Sequence, residues 1–307
     1  MSEATVRVKG LVKRYGTSTA VKEINLQIEK GEVFGLLGPN GAGKTTTLEC
    51  MEGMRSFQAG IIDVAGCNPK RDRKRLRKKL GVQMQSFSLP DSMRVSEALR
   101  LICAYGKAGP QYSLIEKFGF EKLMGKQYKE LSTGQKRRLH LVLALVCNPE
   151  VVILDEPTAG LDVQSKAQLH DEIRKIRAEG VTVLIATHDM AEAEELCDHI
   201  AIMISGKIAV CGTPEEVTAA GDRETRIRLR TSKGLITADE PISGAKLVRE
   251  KDGYLEWKCR DTAESVFSLL SRVQELSDTV EDLRVERPSL EERFLELVEG
   301  SKKNECI

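Results

Sequence analysis

Aromatic residues make up only 4% of this 307-residue chain, and it holds a single Trp. That leaves too few rings for the stacking platforms on which single-stranded nucleic acids bind. An excess of charge of one sign is also missing. Lys and Arg number 47 against 46 Asp and Glu, a formal net charge of +1, so the chain as a whole is no polyanion binder and any basic surface is local. Among the eight Cys no pair is closer than Cys197 and Cys211, which excludes CxxC redox motifs and short-spaced zinc sites. No apolar run approaches the roughly 20 residues that cross a bilayer. The longest candidate, Leu139 to Leu154, is broken by Asn148-Pro149-Glu150. Met1-Ser2-Glu3-Ala4-Thr5 carries no apolar leader, and Cys306, second from the last residue, does not fit a prenylation signal. What remains is a reducing-compartment chain long enough to bury one large core and a second, smaller one.

Hydrophobic residues are 41% of the chain, and their periodicity changes along it. Residues 5 to 29 alternate apolar and polar, as antiparallel strands joined at Tyr15-Gly16-Thr17 would. Val33 to Leu37, Val151 to Leu154 and Val181 to Ala186 are continuous apolar runs, the pattern of strands buried on both faces. Ile200 to Ile204 and Ile208 to Cys211 read as a hairpin around Ser205-Gly206-Lys207. Helical stretches fall between the strands: to about Gly53, over 92 to 124 with breaks at Gly109-Pro110 and Gly119, along Gln135 to Cys147, and over Gln164 to Glu179. Strands alternating with helices predict an α/β fold with a mostly parallel core sheet. The composition shifts near Gly221-Asp222, so residues 1 to 221 are assigned to one domain and 222 to 307 to a small α/β accessory domain. The latter shows strand-like pieces at Arg226 to Arg230, Tyr254 to Cys259 and Val280 to Val285. It also shows a helix over about 262 to 276 and a last helix opening at Pro288-Ser289.

Three motifs carry chemistry. Gly38-Pro39-Asn40-Gly41-Ala42-Gly43-Lys44-Thr45 fits G-x-x-x-x-G-K-[ST] and lies between a buried strand and a helix. Glycines let successive backbone N–H groups curl around phosphate oxygens at a helix N-terminus. Lys44 then reaches the β- and γ-phosphates and Thr45 offers its hydroxyl to Mg²⁺, with Thr46 following in the same turn. In Val151-Val152-Ile153-Leu154-Asp155-Glu156 a buried strand ends in two acids. Asp155 is placed to hold Mg²⁺ and Glu156 to deprotonate an attacking water. Leu131-Ser132-Thr133-Gly134-Gln135 opens an amphipathic helix; alone it is an ordinary N-cap, and between two nucleotide motifs it is a second anion-binding helix start.

In this motif order, residues 4 to about 220 resemble the ATP-binding subunit of an ATP-binding-cassette transporter. The resemblance implies a P-loop cassette with a mostly parallel core sheet, an antiparallel β subdomain and a helical signature subdomain. It assigns Tyr15 to stacking on adenine, Gln85 to contacting Mg²⁺ and relaying to a membrane partner, and Leu131 to Gln135 to the family signature. Asp155 and Glu156 become the metal and base acids, Ala159-Gly160-Leu161-Asp162 a loop that speaks across a dimer, and His188 the γ-phosphate switch. Thr133 departs from the commoner glycine and Ala159-Gly160 from Ser-Ala, both leaving the donor groups in place. Pro288 to Leu297 resembles the extension of bacterial drug- and polymer-exporting members, which favours export.

The implied function is ATP binding and hydrolysis that energises export through a separate membrane-spanning subunit. The implied assembly is a head-to-tail dimer with itself or a paralogous subunit, on the cytoplasmic face of the membrane. The expected coupling surface lies near Gln85 to Ala98. A cassette acting on nucleic acid or ribosomes is the competing reading. Against it stand one phosphate loop, no heptad array between Lys44 and Asp155, and a near-zero net charge, so no nucleic-acid partner is expected. A regulatory module without turnover is opposed by the intact Glu156 and His188. The basic run Lys70 to Lys79 reads as a solvated helix face or, less favourably, a contact to anionic lipid headgroups.

Overall fold

The computed structural model describes residues 4–106, 109, 112–220, 224–237, 241–286 and 289–305, with side chains to residue 300. The chain divides into two compact units, Met1–Pro214 with Gly300–Ile307, and Glu215–Glu299. The division falls a few residues before the compositional shift at Gly221-Asp222, which lies outside the described residues, as does Pro288.

In the larger unit, β1 (Ala4–Tyr15) and β2 (Ser18–Glu29) pair antiparallel through the expected turn, and β4 (Ala59–Val64) adds to β1. Val6, Val8, Ile24 and Ile28 point into a core shared with Ile62 and Val64, while their neighbours face solvent, as period-two alternation requires.

The core sheet has the order β5-β6-β7-β3-β8-β9, parallel except for its last pair. Its strands are β3 (Val33–Leu37), β5 (Leu80–Gln83), β6 (Val151–Asp155), β7 (Thr182–Thr187), β8 (His199–Ile204) and β9 (Lys207–Gly212). Every residue of β3, β6 and β7 is buried, which accounts for their unbroken apolar runs. Because β5, β6, β7 and β3 are adjacent and parallel, the loops leaving their carboxyl ends emerge side by side. Those loops carry Gln85, Glu156, His188 and Gly38.

Helices α1 (Lys44–Met51), α2 (Arg73–Lys79), α3 (Val95–Gly106), α4 (Tyr112–Lys117), α5 (Thr133–Leu145), α6 (Val163–Ala178) and α7 (Met190–Leu196) complete the unit. The basic run contributes α2, whose Leu76 is buried while most of its cations face solvent. In α5, Leu139 to Leu145 are all buried, so the helix is an interior element.

The smaller unit opens with α8 (Pro214–Ala219) and contains an antiparallel sheet ordered β11-β12-β10-β13. Its strands are β10 (Thr225–Thr231), β11 (Ala245–Lys251), β12 (Tyr254–Cys259) and β13 (Val280–Glu286), with α9 (Thr262–Glu275) and α10 (Leu290–Glu305) following β12 and β13. Ile227, Leu229, Trp257 and Cys259 pack with Leu269 and Val273 of α9. Sequence reading missed β4, β5 and β11. β5 is only four residues long, and β11 is mostly exposed, so neither shows a sustained apolar period.

Candidate active site

Five buried residues of β3 deliver the chain to Gly38, and α1 begins at Lys44. Between them the backbone turns through positive φ at Gly38, Gly41 and Gly43, at 154°, 80° and 106°. At Gly43 glycine is also a steric necessity, because a Cβ there would lie 2.6 Å from the Ala20 carbonyl oxygen and 2.7 Å from Met203 Cε. The loop lines a cavity of about 160 Å³ with Ala20, Thr46, Gln85, Asp155 and Glu156, so residues from the carboxyl ends of β3, β5 and β6 converge beside the β1–β2 hairpin. Lys44 Nζ donates to the Gly38 carbonyl at 2.6 Å and lies 3.9 Å from Glu156 Oε1. Burial lowers its pKa against the raising effect of Glu156 and Asp155.

Thr45 Oγ1 donates to Asp155 Oδ2 at 3.0 Å across 110 residues of sequence. The other carboxylate oxygen, Oδ1, is buried without a hydrogen-bond partner. Burial is the main reason the Asp155 pKa is raised, with the Thr45 hydrogen bond acting the other way. A buried carboxylate oxygen with open coordination beside a hydroxyl is a hard-oxygen donor set, and it fits Mg²⁺ shared with phosphate oxygens. Among the described residues, no group of three or more His, Cys, Asp or Glu is arranged to hold a metal by itself.

Glu156 follows in a left-handed conformation, φ 49°, with its N–H donated to the Ala186 carbonyl at 2.8 Å. This local strain turns its carboxylate back toward the cavity. There it meets His188 Nδ1 at 2.9 Å from Oε1 and 2.8 Å from Oε2. The acid end of β6 and the histidine following β7 are thus one hydrogen-bonded pair, which the parallel register of those strands makes possible.

The other candidates lie outside that cavity. Tyr15 is 43% exposed at the tip of the β1–β2 turn, with Lys13 Nζ 4.5 Å from its ring centre. Only Ala20, further along the same hairpin, reaches the cavity lining. Ser132 caps α5, its Oγ accepting from Gln135 N at 3.2 Å while Gln135 Oε1 accepts from Ser132 N at 3.1 Å. Gly134 has no room for a side chain, since a Cβ would lie 2.5 Å from Ser165 Oγ. Asp162 caps α6 by accepting from Ser165 N at 2.8 Å, and that bond is the main reason its pKa is lowered. None of Ser132, Gly134, Gln135 and Asp162 touches the phosphate-loop cavity.

Two contacts escaped sequence reading. Arg137 Nη1 donates to the Gln85 carbonyl at 3.1 Å, and the Phe87 ring meets His140 edge-on at 4.9 Å. Both tie the loop after β5 to the signature helix α5. Arg137 lies just past the signature, but nothing local marks its partner. Beside these residues runs a groove of about 500 Å³, lined by Met54, Leu80, Met84, Phe87, Ile102 and Tyr105 among others.

Comparisons with known proteins agree with this geometry. The model of the ABC transporter family matches residues 21–159. The daunorubicin resistance ATP-binding protein DrrA3 of Streptomyces coeruleorubidus is 32% identical over 97% of this chain and 96% of its own length. The linearmycin resistance ATP-binding protein LnrL of Bacillus subtilis is 30% identical over 95% of this chain and 97% of its own. A solved ATP-binding subunit of an ABC transporter superposes with a TM-score of 0.64 at 27% identity, covering 70% of this chain and 92% of that one. With a phosphate loop, a buried carboxylate bonded to its threonine and a carboxylate–histidine pair on neighbouring strand ends, the chain belongs to the ABC transporter family as one of its ATP-hydrolysing cassettes.

Proposed function

We propose that this cassette energises export through a separate membrane-spanning protein, as a head-to-tail dimer in which each ATP lies between the phosphate loop of one protomer and the signature helix of the other. One observation carries the reading. The phosphate-loop cavity has Lys44, Thr45, Asp155 and Glu156, whereas Ser132 and Gly134 lie outside it in the same chain. A γ-phosphate seated on the loop needs donors on its open side. The N-terminus of α5 supplies backbone N–H groups for an anion, and a second protomer can bring it there. Names of relatives support the export half: two are resistance ATP-binding proteins, for daunorubicin and linearmycin, and a third is a Nod factor export ATP-binding protein.

The chemistry assigned to the chain's own groups runs as follows. The N–H groups of Gly41 to Thr46 and the Lys44 ammonium bind the phosphates. Asn40 borders the same turn. Thr45 and Asp155 would hold Mg²⁺, which would supply charge neutralisation to the bound phosphates. Glu156 accepts the proton of the attacking water, and His188, hydrogen-bonded to Glu156, holds that carboxylate and meets the γ-phosphate. Gln85 borders the cavity on one side, while its loop continues into the apolar groove on the other. That placement supports coupling of the site to a membrane partner seated on the surface near Gln85 to Ala98. Tyr15 stacks on adenine from the hairpin tip. Among the described residues no helix is long and apolar enough to cross a membrane, and the spanning segments are assigned to the partner.

Mixing two inactive variants, Lys44→Ala and Ser132→Arg, tests the shared site. In a mixed dimer one site carries both lesions and the other carries neither. With random pairing, about half the dimers recover an ATP-occluded site, measured as trapped nucleotide. If subunit exchange is confirmed and the mixture traps no more ATP than either variant alone, each chain completes its own site and the dimer reading fails.

A further inference from the structure

Helices α6 and α7 are joined by a ladder of ionic contacts. Lys166, His170, Arg174 and Arg177 succeed one another about one turn apart along one face of α6. Opposite them stand Asp189, Glu192 and Glu195 of α7 and, just past its end, Asp198. Lys166 Nζ bonds Asp189 Oδ2 at 2.5 Å, and Arg174 Nη2 bonds Glu195 Oε1 at 2.5 Å. Arg177 closes the ladder on Asp198.

The middle rung differs from the rest. His170 and Glu192 have side chains 1% and 0% exposed, while the groups of the outer rungs are a quarter to a half exposed. His170 Nδ1 lies 3.0 Å from Glu195 Oε2, and its Nε2 lies 3.6 Å from Glu192 Oε1. That Nε2 and both Glu192 oxygens are buried without a hydrogen-bond partner. Exposed ion pairs contribute little to holding two helices together. A buried carboxylate is different: when it loses its counter-charge it either takes a proton or drives its surroundings apart. Arg174 holds the Glu195 carboxyl below its usual range, chiefly by hydrogen bonding, so Glu195 remains ionised. Next to Glu192, burial pushes the Cys197 thiol up, and the thiol stays neutral. The imidazole is therefore the group of this cluster that reaches both Glu195 and Glu192.

This rung lies behind the active site. α7 starts immediately after His188, with Asp189 as its N-cap accepting from Glu192 N at 3.0 Å. Asp189 N in turn donates to Thr187 Oγ1 at 3.0 Å, at the end of β7. α7 also packs on β3 and β7, so its seating on α6 is one of the contacts that bear on where His188 stands relative to Glu156.

We propose that His170 is a positioning residue: bridging Glu192 and Glu195, it holds α7 where His188 can bond Glu156. The inference rests on the proposed role of His188 at the γ-phosphate. It is tested by single-turnover ATP hydrolysis in the full chain, with ATP affinity and melting temperature measured for each variant. His170→Gln should be about tenfold slower, with ATP affinity unchanged. Adding Glu192→Gln removes the carboxylate left without its neighbour, and the double variant should recover to within about threefold of wild type. A merely structural role would move melting temperature and rate together across the variants. His170→Gln with wild-type rate overturns the proposal, as does a double variant that regains stability but not rate. Measuring His188→Ala in parallel separates the two readings. If His188→Ala is slow while His170→Gln is normal, only the clamp fails; if His188→Ala is normal, the role of His188 fails and the clamp fails with it.

Discussion

The phosphate-loop face and the signature face of this cassette are built on opposite principles. At the first, one polar atom is left open and its neighbours hold one another: Asp155 Oδ1 has no partner, Lys44 rests on loop carbonyls, and Glu156 is strained toward His188. At the second, the side chains are satisfied within the chain. Ser132 and Gln135 close a capping box, and Asp162 closes on Ser165. The first face stores cost that a substrate can relieve. The second is already stable and offers an anion the field and N–H groups of a capped helix start.

Glu156→Gln breaks the comparison most sharply. The amide keeps the shape and a bond to His188 but cannot take a proton, so turnover should fall by about 10²–10⁴-fold while ATP still binds. Single-turnover hydrolysis beside equilibrium nucleotide binding measures both, and near-wild-type turnover would remove Glu156 from the role of base.

Asp155→Asn should separate stability from function on the same face. Burial raises the Asp155 pKa in the folded state, so folding favours its neutral form. The group's contribution to stability is present below the unfolded carboxylate pKa and is lost as pH rises through the raised folded value. At neutral pH an ionised Asp155 therefore costs stability. The asparagine variant should melt higher than wild type without nucleotide at neutral pH, with the gap closing on acidification, and should lose Mg²⁺-dependent hydrolysis. A variant that melts lower at neutral pH would show that the unpartnered carboxylate is not a stored cost.

Ser132→Ala has the smallest expected effect and probes the satisfied face. Loss of the cap should cost about 1 kcal/mol of stability, read from denaturant unfolding, with phosphate-loop nucleotide binding by the isolated protomer unchanged. A fall in that binding would place the signature in the same site within one chain.

Much of this was legible before the structure, for a physical reason. The phosphate loop, the acid pair after β6 and the cap at Ser132 are contiguous segments, and their chemistry depends on backbone conformation over a few residues. Buried parallel strands declare themselves by unbroken apolar runs, so the core sheet was readable too. Short or exposed strands such as β5 and β11 carry no such signal. What only the tertiary structure decided are the pairings across distance. Thr45 meets Asp155, Glu156 meets His188 and Arg137 holds the Gln85 carbonyl because four adjacent strand ends and one interior helix bring them together. The same holds for His170, an unremarkable histidine in the helix pattern, buried between two carboxylates by the packing of α6 on α7. Local conformation follows from local sequence, but the environment of a charge depends on which distant groups exclude water from it, and packing alone determines that.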